Sequence, residues 1–440
     1  MRTKRHHDFK SKDPAADSRS EARRDRDRII YSVEFQRLVG VTQVVSPTER
    51  FPVHNRLTHS LKVSQVGRSI AEQLIHRYEN TGIRQHLDPD VVDAACLAHD
   101  LGHPPFGHNT ERELDSLLRE AEAPDSAIED GFEGNAQSFR VVTKTAIRYQ
   151  EIDRKPGLNL TAASLNAILK YPWGQRENGS RRRKWGYYQT ERPDFEFARR
   201  ECGFSLDSER PSLEASIMNL ADDISYAVHD VEDFVRAGLI PTAVFTLESN
   251  EHIWFQTKCA EIAPHLSPVD VAQVLGFVNL FRYKGRHSDL AMLSEFRSES
   301  VNHFISSLRI KLTEHGPEVD VPTDVQTEID VLQLLTRIYV IDSPAVQGQR
   351  YGQRRMIREI FNVFLEEATL PDTTSHPRSQ SLRIFPPLWQ ERIESEPPGN
   401  ANVIKRLVAD LIASMTEQQV CDTFEKLTGR GQSSAVDPIA

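Results

Sequence analysis

Long apolar runs are missing from this sequence of 440 residues. A helix that crosses a membrane needs roughly 20 consecutive apolar residues, and no stretch of the chain approaches that length. The N-terminal residues are polar and charged, and they lack the apolar core of a signal peptide. These absences argue against a membrane protein, and we expect a cytoplasmic one.

Cysteine is also scarce, with four residues and no CxxC pair: Cys96, Cys202, Cys259 and Cys421. Such scattered spacing indicates reduced, structural cysteines and argues against a zinc knot or a disulfide framework. Cys96 lies inside an apolar run, where a core position is predicted. The GxxxxGKS or GxxxxGKT phosphate loop and internal repeats are absent as well.

Positive charge is in deficit, and the net charge is -10. This balance argues against a broad nucleic-acid surface. Residues 1–27 are nevertheless locally basic and are predicted to form a flexible arm. A second basic run, Arg181 to Lys184, is typical of a surface loop, with a phosphate or regulatory contact as the alternative.

Helical periodicity dominates the rest of the chain, so an all-α fold is predicted. One short strand is expected at 40–45 from its β-branched residues. Asp88 and Pro89 are predicted to begin one of the helices. The predicted helices cover 28–38, 57–80, 89–100, 109–122, 138–147, 161–170, 211–236 and 403–415.

The central motif is the His99-Asp100 pair, which ends an apolar helical run and precedes a loop rich in Gly and Pro. Imidazole and carboxylate side by side indicate a divalent metal. His59 and Asp222 lie on two other predicted helices. Four ligands from three helices, His59, His99, Asp100 and Asp222, make a plausible site in a helical bundle.

Asp222, Tyr226 and Asp230 follow each other at intervals of four and are predicted to share one helical face. Burying two carboxylates is costly unless a metal or ligand satisfies them. Two interpretations of this face stay open: it binds a sugar, or it is a row of polar side chains exposed to solvent. The sugar-binding interpretation suits Tyr226 better.

His108 and Glu111 are three residues apart at the start of a predicted helix, so they can touch and act as an acid–base pair. For His103 two interpretations stay open, a structural role in the loop and a catalytic one. Arg56 precedes His59 by three residues and offers a guanidinium suited to phosphate.

At this point the chain resembles the HD-domain deoxynucleoside triphosphate triphosphohydrolases of the bacterial dGTPase-like branch. The matching stretches keep the family order over roughly residues 24–420. They are RDRDRIIYSVEFQRLVGVTQV (24–44), RLTHSLKVSQVGRSIA (56–71), CLAHDLGHPPFGHNTE (96–111), GFEGNAQSFR (131–140), GLNLT (157–161), LKYPWG (169–174), KWG (184–186), IMNLADDISYAVHDVED (217–233) and RLVADLIASMTEQ (406–418).

The resemblance implies an HD-domain helical bundle over 28–238, a C-terminal helical region over 239–430 and a tail over 431–440. It implies that His59, His99, Asp100 and Asp222 hold a divalent cation, with Mg²⁺ or Mn²⁺ favoured over another transition metal. His108 and Glu111 resemble the catalytic pair, and His103 a contact on the phosphate side. Arg56 is similar to a phosphate-binding arginine, and Gln43, Tyr226 and Asp230 to residues that contact the deoxyribose.

The activity implied is hydrolysis of a dNTP to deoxynucleoside and intact triphosphate, by a homo-oligomer (tetramer or hexamer) that a second dNTP regulates. Two alternatives stay open. One is an HD phosphohydrolase that acts on a nucleoside monophosphate or a cyclic nucleotide. The other is a nucleotide-sensing module or a protein that binds single-stranded DNA weakly.

Overall fold

The computed structural model describes residues 2–7, 17–44, 54–120, 128–149, 156–177, 180–247, 249–281, 284, 286–370, 382–396 and 400–429. Helices dominate this part of the chain, which confirms the all-α prediction. The only strands described are two short antiparallel hairpins, β1–β2 (Arg176–Glu177 and Ser180–Arg181) and β3–β4 (Arg309–Thr313 and Gly316–Asp320). None of the described helices combines the length and the apolar character that a bilayer span requires.

We number the described α-helices α1 to α18. The first nine are α1 Glu21–Ile30, α2 Val33–Arg37, α3 Arg56–Arg77, α4 Pro89–Ala98, α5 His108–Arg119, α6 Gly134–Arg140, α7 Ala162–Ile168, α8 Arg192–Glu201 and α9 Leu213–Ser225. The others are α10 Val231–Arg236, α11 Asn250–Ile262, α12 Pro268–Val278, α13 His287–Ser307, α14 Thr323–Thr336, α15 Pro344–Thr369, α16 Pro387–Glu394, α17 Ala401–Ser414 and α18 Glu417–Thr428. Single π-helical turns occupy Val141–Thr145, Tyr226–Asp230 and Arg337–Ile341.

Helix α4 is the central helix of the bundle, and it packs against α3 and α9. Its residues from Val91 to Ala98 are all buried, as expected for a helix that is covered on every side. The predicted start is confirmed, because Asp88 accepts a hydrogen bond from the Asp90 amide and Pro89 occupies the first turn. Cys96 is fully buried, also as predicted, and all four cysteines are free.

A second core lies behind α5, where Leu114, Leu117 and Leu118 pack against α15 and the C-terminal helices. The first core runs from Ala22 in α1 to Val340, far beyond residue 238. The division at 238 stays a prediction, but it does not separate two units of packing. Residues from both sides of it share each core.

The structure corrects two local predictions. The helix expected at 28–38 is interrupted at Tyr31, because Ser32 begins a new helix by accepting a hydrogen bond from the Phe35 amide. No strand forms in the described part of 40–45, where Thr42 makes only an isolated bridge to Asn55. Val45 and the predicted tail at 431–440 lie outside the described residues.

The predicted flexible arm also differs from the structure where residues 2–7 and 17–27 are described. Arg5 lies 2.6 Å from the buried carboxylate of Asp25, and the Lys4 carbonyl accepts a hydrogen bond from the Ala162 amide. Helix α1 covers Glu21–Ile30 and contributes Ala22 and Ile29 to the first core. The basic side chain of Arg5 thus forms an ion pair with a buried carboxylate.

Candidate active site

Three helices bring the four predicted metal ligands together. His59 lies in the first turn of α3, His99 and Asp100 follow the end of α4, and Asp222 lies in the last turns of α9. His59 Nε2 is 3.0 Å and His99 Nε2 3.6 Å from the same oxygen of Asp222. Ligand atoms of His59, His99 and Asp100 lie within 4.8 Å of one another. The group is compact enough for one cation.

The chemistry of this group fits a divalent cation. His99 Nδ1 lies 2.6 Å from the Cys96 carbonyl, which turns Nε2 toward the carboxylates. That Nε2 atom is buried and has no hydrogen-bond partner among the described residues. Burial alone would lower the pKa of His99, but Asp100 and Asp222 raise it to about 9. The two carboxylates therefore favour positive charge at this point, and a metal ion would supply it.

The loop between α4 and α5 carries His103 and His108. His103 Nδ1 lies 3.0 Å from Asp100, and its ring is 5.3 Å from that of His108. Burial and the charge of Arg56 lower the pKa of His103 to about 4, so this side chain is neutral at pH 7. His103 therefore lies beside both the metal ligands and His108.

Close packing holds this loop against α6. A Cβ atom on Gly102 would lie 2.1 Å from the Ser138 backbone nitrogen, so only glycine fits. The Ser138 hydroxyl donates to the His99 carbonyl at 2.7 Å and accepts from the Gly102 amide at 2.9 Å. The backbone of the motif HDLGH therefore packs directly against the backbone of the motif GFEGNAQS, and the Ser138 hydroxyl joins the two by hydrogen bonds.

His108 and Glu111 are in contact, as their spacing predicts. His108 Nδ1 lies 2.7 Å from Glu111 Oε2 at the start of α5. Although burial alone would raise the pKa of Glu111, His108 and Lys184 hold it well below its usual range. Glu111 is therefore a carboxylate at neutral pH and can orient the imidazole.

Three cationic side chains surround the metal ligands. Arg56 donates to Asp100 at 2.6 Å, and Lys170 lies 3.5 Å from Asp222. Lys184 donates to Glu111 and Glu133, both at 2.8 Å. Sequence reasoning predicted a phosphate contact for Arg56, and for the run Arg181 to Lys184 it gave such a contact as the alternative to a surface loop. Lys170 lies in the stretch LKYPWG, which was matched without a role. Among the side chains of the basic run that the structure describes, Lys184 is the one that lines the site.

These groups line one cavity of about 370 Å³, which is large enough for part of a nucleotide. Gln43, Arg56, His103, His108 and Tyr226 all line it. The roles that the resemblance implies for them stay predictions. The opposite wall comes from the C-terminal region. It includes Gln333, Ile341, Val346, Gln349, Arg350, Gln353 and Glu417.

Three predicted residues do not line the cavity. Glu111 is buried and contacts His108 and Lys184, which do line it. His59 is buried behind Asp222. Asp230 is buried too, with Oδ2 unpartnered among the described residues, and burial raises its pKa well above the usual range. The equal spacing expected for Asp222, Tyr226 and Asp230 assumed 3.6 residues per turn. The wider π-helical turn at Tyr226–Asp230 changes that register.

Comparison with known families assigns two regions. Residues 56–227 match the HD domain, and residues 319–426 match the phosphohydrolase-associated domain. The fold and the clustered His and Asp side chains thus define an HD-domain phosphohydrolase. The HD match contains all four predicted metal ligands, and the second match contains most of the opposite cavity wall.

Curated relatives narrow the class further. A deoxyguanosinetriphosphate triphosphohydrolase-like protein of Streptomyces coelicolor is 32% identical over 93% of each chain. A protein of the same name from Bifidobacterium longum is 31% identical over 92% of this chain and 82% of the relative. The deoxyguanosinetriphosphate triphosphohydrolase-like protein 2 of Mesorhizobium japonicum is 30% identical over 96% of this chain and 95% of the relative. The chain belongs to this family of dGTPase-like proteins, as its motifs predicted.

Proposed function

We propose that the protein hydrolyses deoxynucleoside triphosphates to deoxynucleoside and inorganic triphosphate. His59, His99, Asp100 and Asp222 would hold the divalent cation. The observation that carries the proposal is one cavity lined by three of these ligands, three cationic side chains, His108 and Tyr226. His59 and Glu111 do not line it but contact Asp222 and His108, which do. The names of the relatives support a nucleotide with a triphosphate.

A divalent cation held by these ligands would polarise a phosphate oxygen and orient a water. Arg56, Lys170 and Lys184 neutralise the charge of the triphosphate. Because all three cations line the cavity, the phosphates would bind beside them. Their positions are fixed by ion pairs with Asp100, Asp222 and Glu111 before substrate arrives.

His108 is the proposed proton carrier. The attacking water bonds to the α-phosphorus, the bond from that phosphorus to the 5′-oxygen breaks, and the 5′-oxygen ends with a proton. His108 either takes the proton from water or gives one to the 5′-oxygen. Glu111 holds Nδ1 in both cases, which leaves Nε2 for this transfer.

Tyr226 is proposed to exclude ribonucleotides, because its ring lines the cavity where a 2′-hydroxyl would need room. Gln43 would contact the sugar from the other side. The resemblance also implies that Asp230 holds the 3′-hydroxyl of the sugar. Asp230 is buried and does not line the cavity, so this contact stays a prediction. Homo-oligomerisation, a regulatory dNTP, weak binding of single-stranded DNA and a cytoplasmic location remain predictions.

The test is product analysis. The purified protein is incubated with each dNTP and with GTP, singly and mixed, in Mg²⁺ or Mn²⁺, and the products are separated by chromatography. Deoxynucleoside plus triphosphate from dNTPs, and none with Asp100→Ala, is expected. Orthophosphate or a linear monophosphate as product would favour another HD phosphohydrolase, and no hydrolysis of any nucleotide would contradict the proposal.

A further inference from the structure

The C-terminal stretch RLVADLIASMTEQ resembles the family, yet no role in the site follows from its sequence. In the structure it ends at the beginning of α18, directly beside the cavity. Glu417 is the first residue of α18, and its side chain is buried and lines the cavity. Thr416 closes a capping box with Gln419, so the Glu417 side chain is not needed to cap its own helix.

Glu417 instead accepts three hydrogen bonds from two other segments of the site. Oε1 accepts from the Thr42 amide at 2.9 Å and from the Phe106 amide at 3.1 Å. Oε2 accepts from the Thr42 hydroxyl at 2.5 Å. Thr42 directly precedes Gln43, and Phe106 lies two residues before His108. One carboxylate therefore joins the segment of Gln43 to the loop of His108.

The Phe106 end of this contact has an unusual backbone. Phe106 has φ of 62° and Gly107 has φ of 57°. A bulky residue with positive φ is strained and persists only where its surroundings hold it. The hydrogen bond from the Phe106 amide to Glu417 is such a restraint, and it lies in the turn that positions His108 at the start of α5.

Neighbouring contacts confirm that the C-terminal segment is packed tightly here. Arg37 donates to the Met415 carbonyl at 3.0 Å, and also to the carbonyls of Leu101 and His103 at 3.0 and 2.9 Å. A Cβ atom on Gly40 would lie 2.7 Å from Thr416. The segment 415–417 is thus fixed against both Gln43 and the catalytic loop.

We infer that Glu417 is a positioning residue of the active site: through Phe106 it holds the loop of His108, and through Thr42 it holds Gln43. The expected loss of activity in Glu417 variants rests on the proposed function. The expected loosening of the segments around Thr42 and Phe106 does not. The C-terminal region thereby completes a site whose metal ligands all lie in the HD domain.

The variants Glu417→Ala, Glu417→Gln and Gln418→Ala test this. Glutamine can still accept both amide hydrogen bonds through Oε1, and its amide can donate to Thr42, whereas alanine makes none of these contacts. Gln418 is exposed in the same helical turn and serves as the control. Because a small displacement of a catalytic group costs about 100-fold, kcat/KM should fall by about 10- to 100-fold in Glu417→Ala and stay near wild type in the other two.

Hydrogen–deuterium exchange supplies the readout that does not depend on activity. Peptides that contain Thr42 or Phe106 should exchange faster in Glu417→Ala than in wild type, while peptides from α4 stay unchanged. Unchanged exchange at both segments would overturn the inference even if dNTP hydrolysis is confirmed. Faster exchange in a protein without dNTP hydrolysis would instead contradict only the proposed function.

Two further outcomes are decisive. Equal loss of kcat in Glu417→Gln and Glu417→Ala would assign the effect to the charge of Glu417 and overturn positioning. Should Glu417→Ala not fold, Thr42→Val removes the hydroxyl contact alone. It should raise KM several-fold with kcat unchanged, and the reverse pattern would contradict the link to Gln43.

Discussion

Lys184 Nζ lies 2.8 Å from Glu111 Oε1, while the other oxygen of the same carboxylate lies 2.7 Å from His108 Nδ1. Glu111 therefore stands between a permanent cation and the proposed proton carrier. Although burial alone would lower the pKa of Lys184, Glu133 and Glu111 raise it above its ordinary value. The lysine remains charged throughout the neutral range and fixes the carboxylate that orients His108.

Replacing Lys184 by methionine should lower kcat/KM for a dNTP by about 100-fold, since a preorganised cation next to the phosphates is lost. Lys184→Arg keeps the charge and should retain part of the activity. Arg183→Met, an exposed neighbour in the same loop, is the matched control. Steady-state kinetics measure the effect, and equal losses in Lys184→Met and Arg183→Met would refute the assignment.

Metal binding should stabilise the fold through Asp222. Free metal at about 100 times its Kd contributes about 2.7 kcal/mol to the free energy of unfolding, because only the folded chain assembles the ligands. Tm is measured by scanning calorimetry in EDTA and in Mn²⁺. The increase seen for wild type should be lost in Asp222→Asn and kept in Asp207→Asn, whose side chain is exposed. An undiminished increase in Asp222→Asn would remove Asp222 from the ligand set.

Tyr226 should control the choice between deoxyribose and ribose. Tyr226→Ala opens space beside the sugar, and the ratio of kcat/KM for GTP to that for dGTP should rise by about 10- to 100-fold. Tyr226→Phe keeps the ring and should keep the exclusion. Competing-substrate assays give the ratio directly, and a ratio that is the same in all three proteins would show that another group excludes ribose.

Gly102→Ala should destabilise the protein by about 1–3 kcal/mol, since its Cβ would lie within 2.5 Å of backbone atoms of Gly134, Gln137 and Ser138. The control is Gly276→Ala, in an exposed helical position with no heavy atom within 4 Å of the added Cβ. That substitution should be neutral or stabilising. Midpoints of urea unfolding compare the two, and equal midpoints would contradict the close contact between the catalytic loop and α6.

Local signals made several elements predictable. Asp88 and Pro89 begin α4, as predicted from the preference of Asp for the N-cap and of Pro for the first turn. The apolar run before His99 forms a buried helix, also as predicted. The proximity of His59, His99, Asp100 and Asp222 could be predicted because each lies in a recognisable motif, and their role as metal ligands stays a prediction. The strand predicted at 40–45 was wrong over its described residues, because β-branched residues next to Gly40 could not reveal that Thr42 donates a hydrogen bond to Glu417, 375 positions away.

Other features depend on contacts that sequence patterns do not encode. A basic run is typical of a solvated loop, so Lys184 was not distinguished from Arg181, Arg182 and Arg183. The π-helical turn at Tyr226–Asp230 breaks the regular period on which the position of Asp230 was predicted. The cavity wall from α15 was also missed, since its Gln and Arg side chains carry no motif.

The central claim is that water attacks the α-phosphorus and the bond to the 5′-oxygen breaks. Hydrolysis of a dNTP in H₂¹⁸O, followed by mass spectrometry of both products, tests this directly. We predict one ¹⁸O atom in the triphosphate and none in the deoxynucleoside. Label in orthophosphate or pyrophosphate, or in the 5′-hydroxyl of the deoxynucleoside, would contradict the proposed reaction.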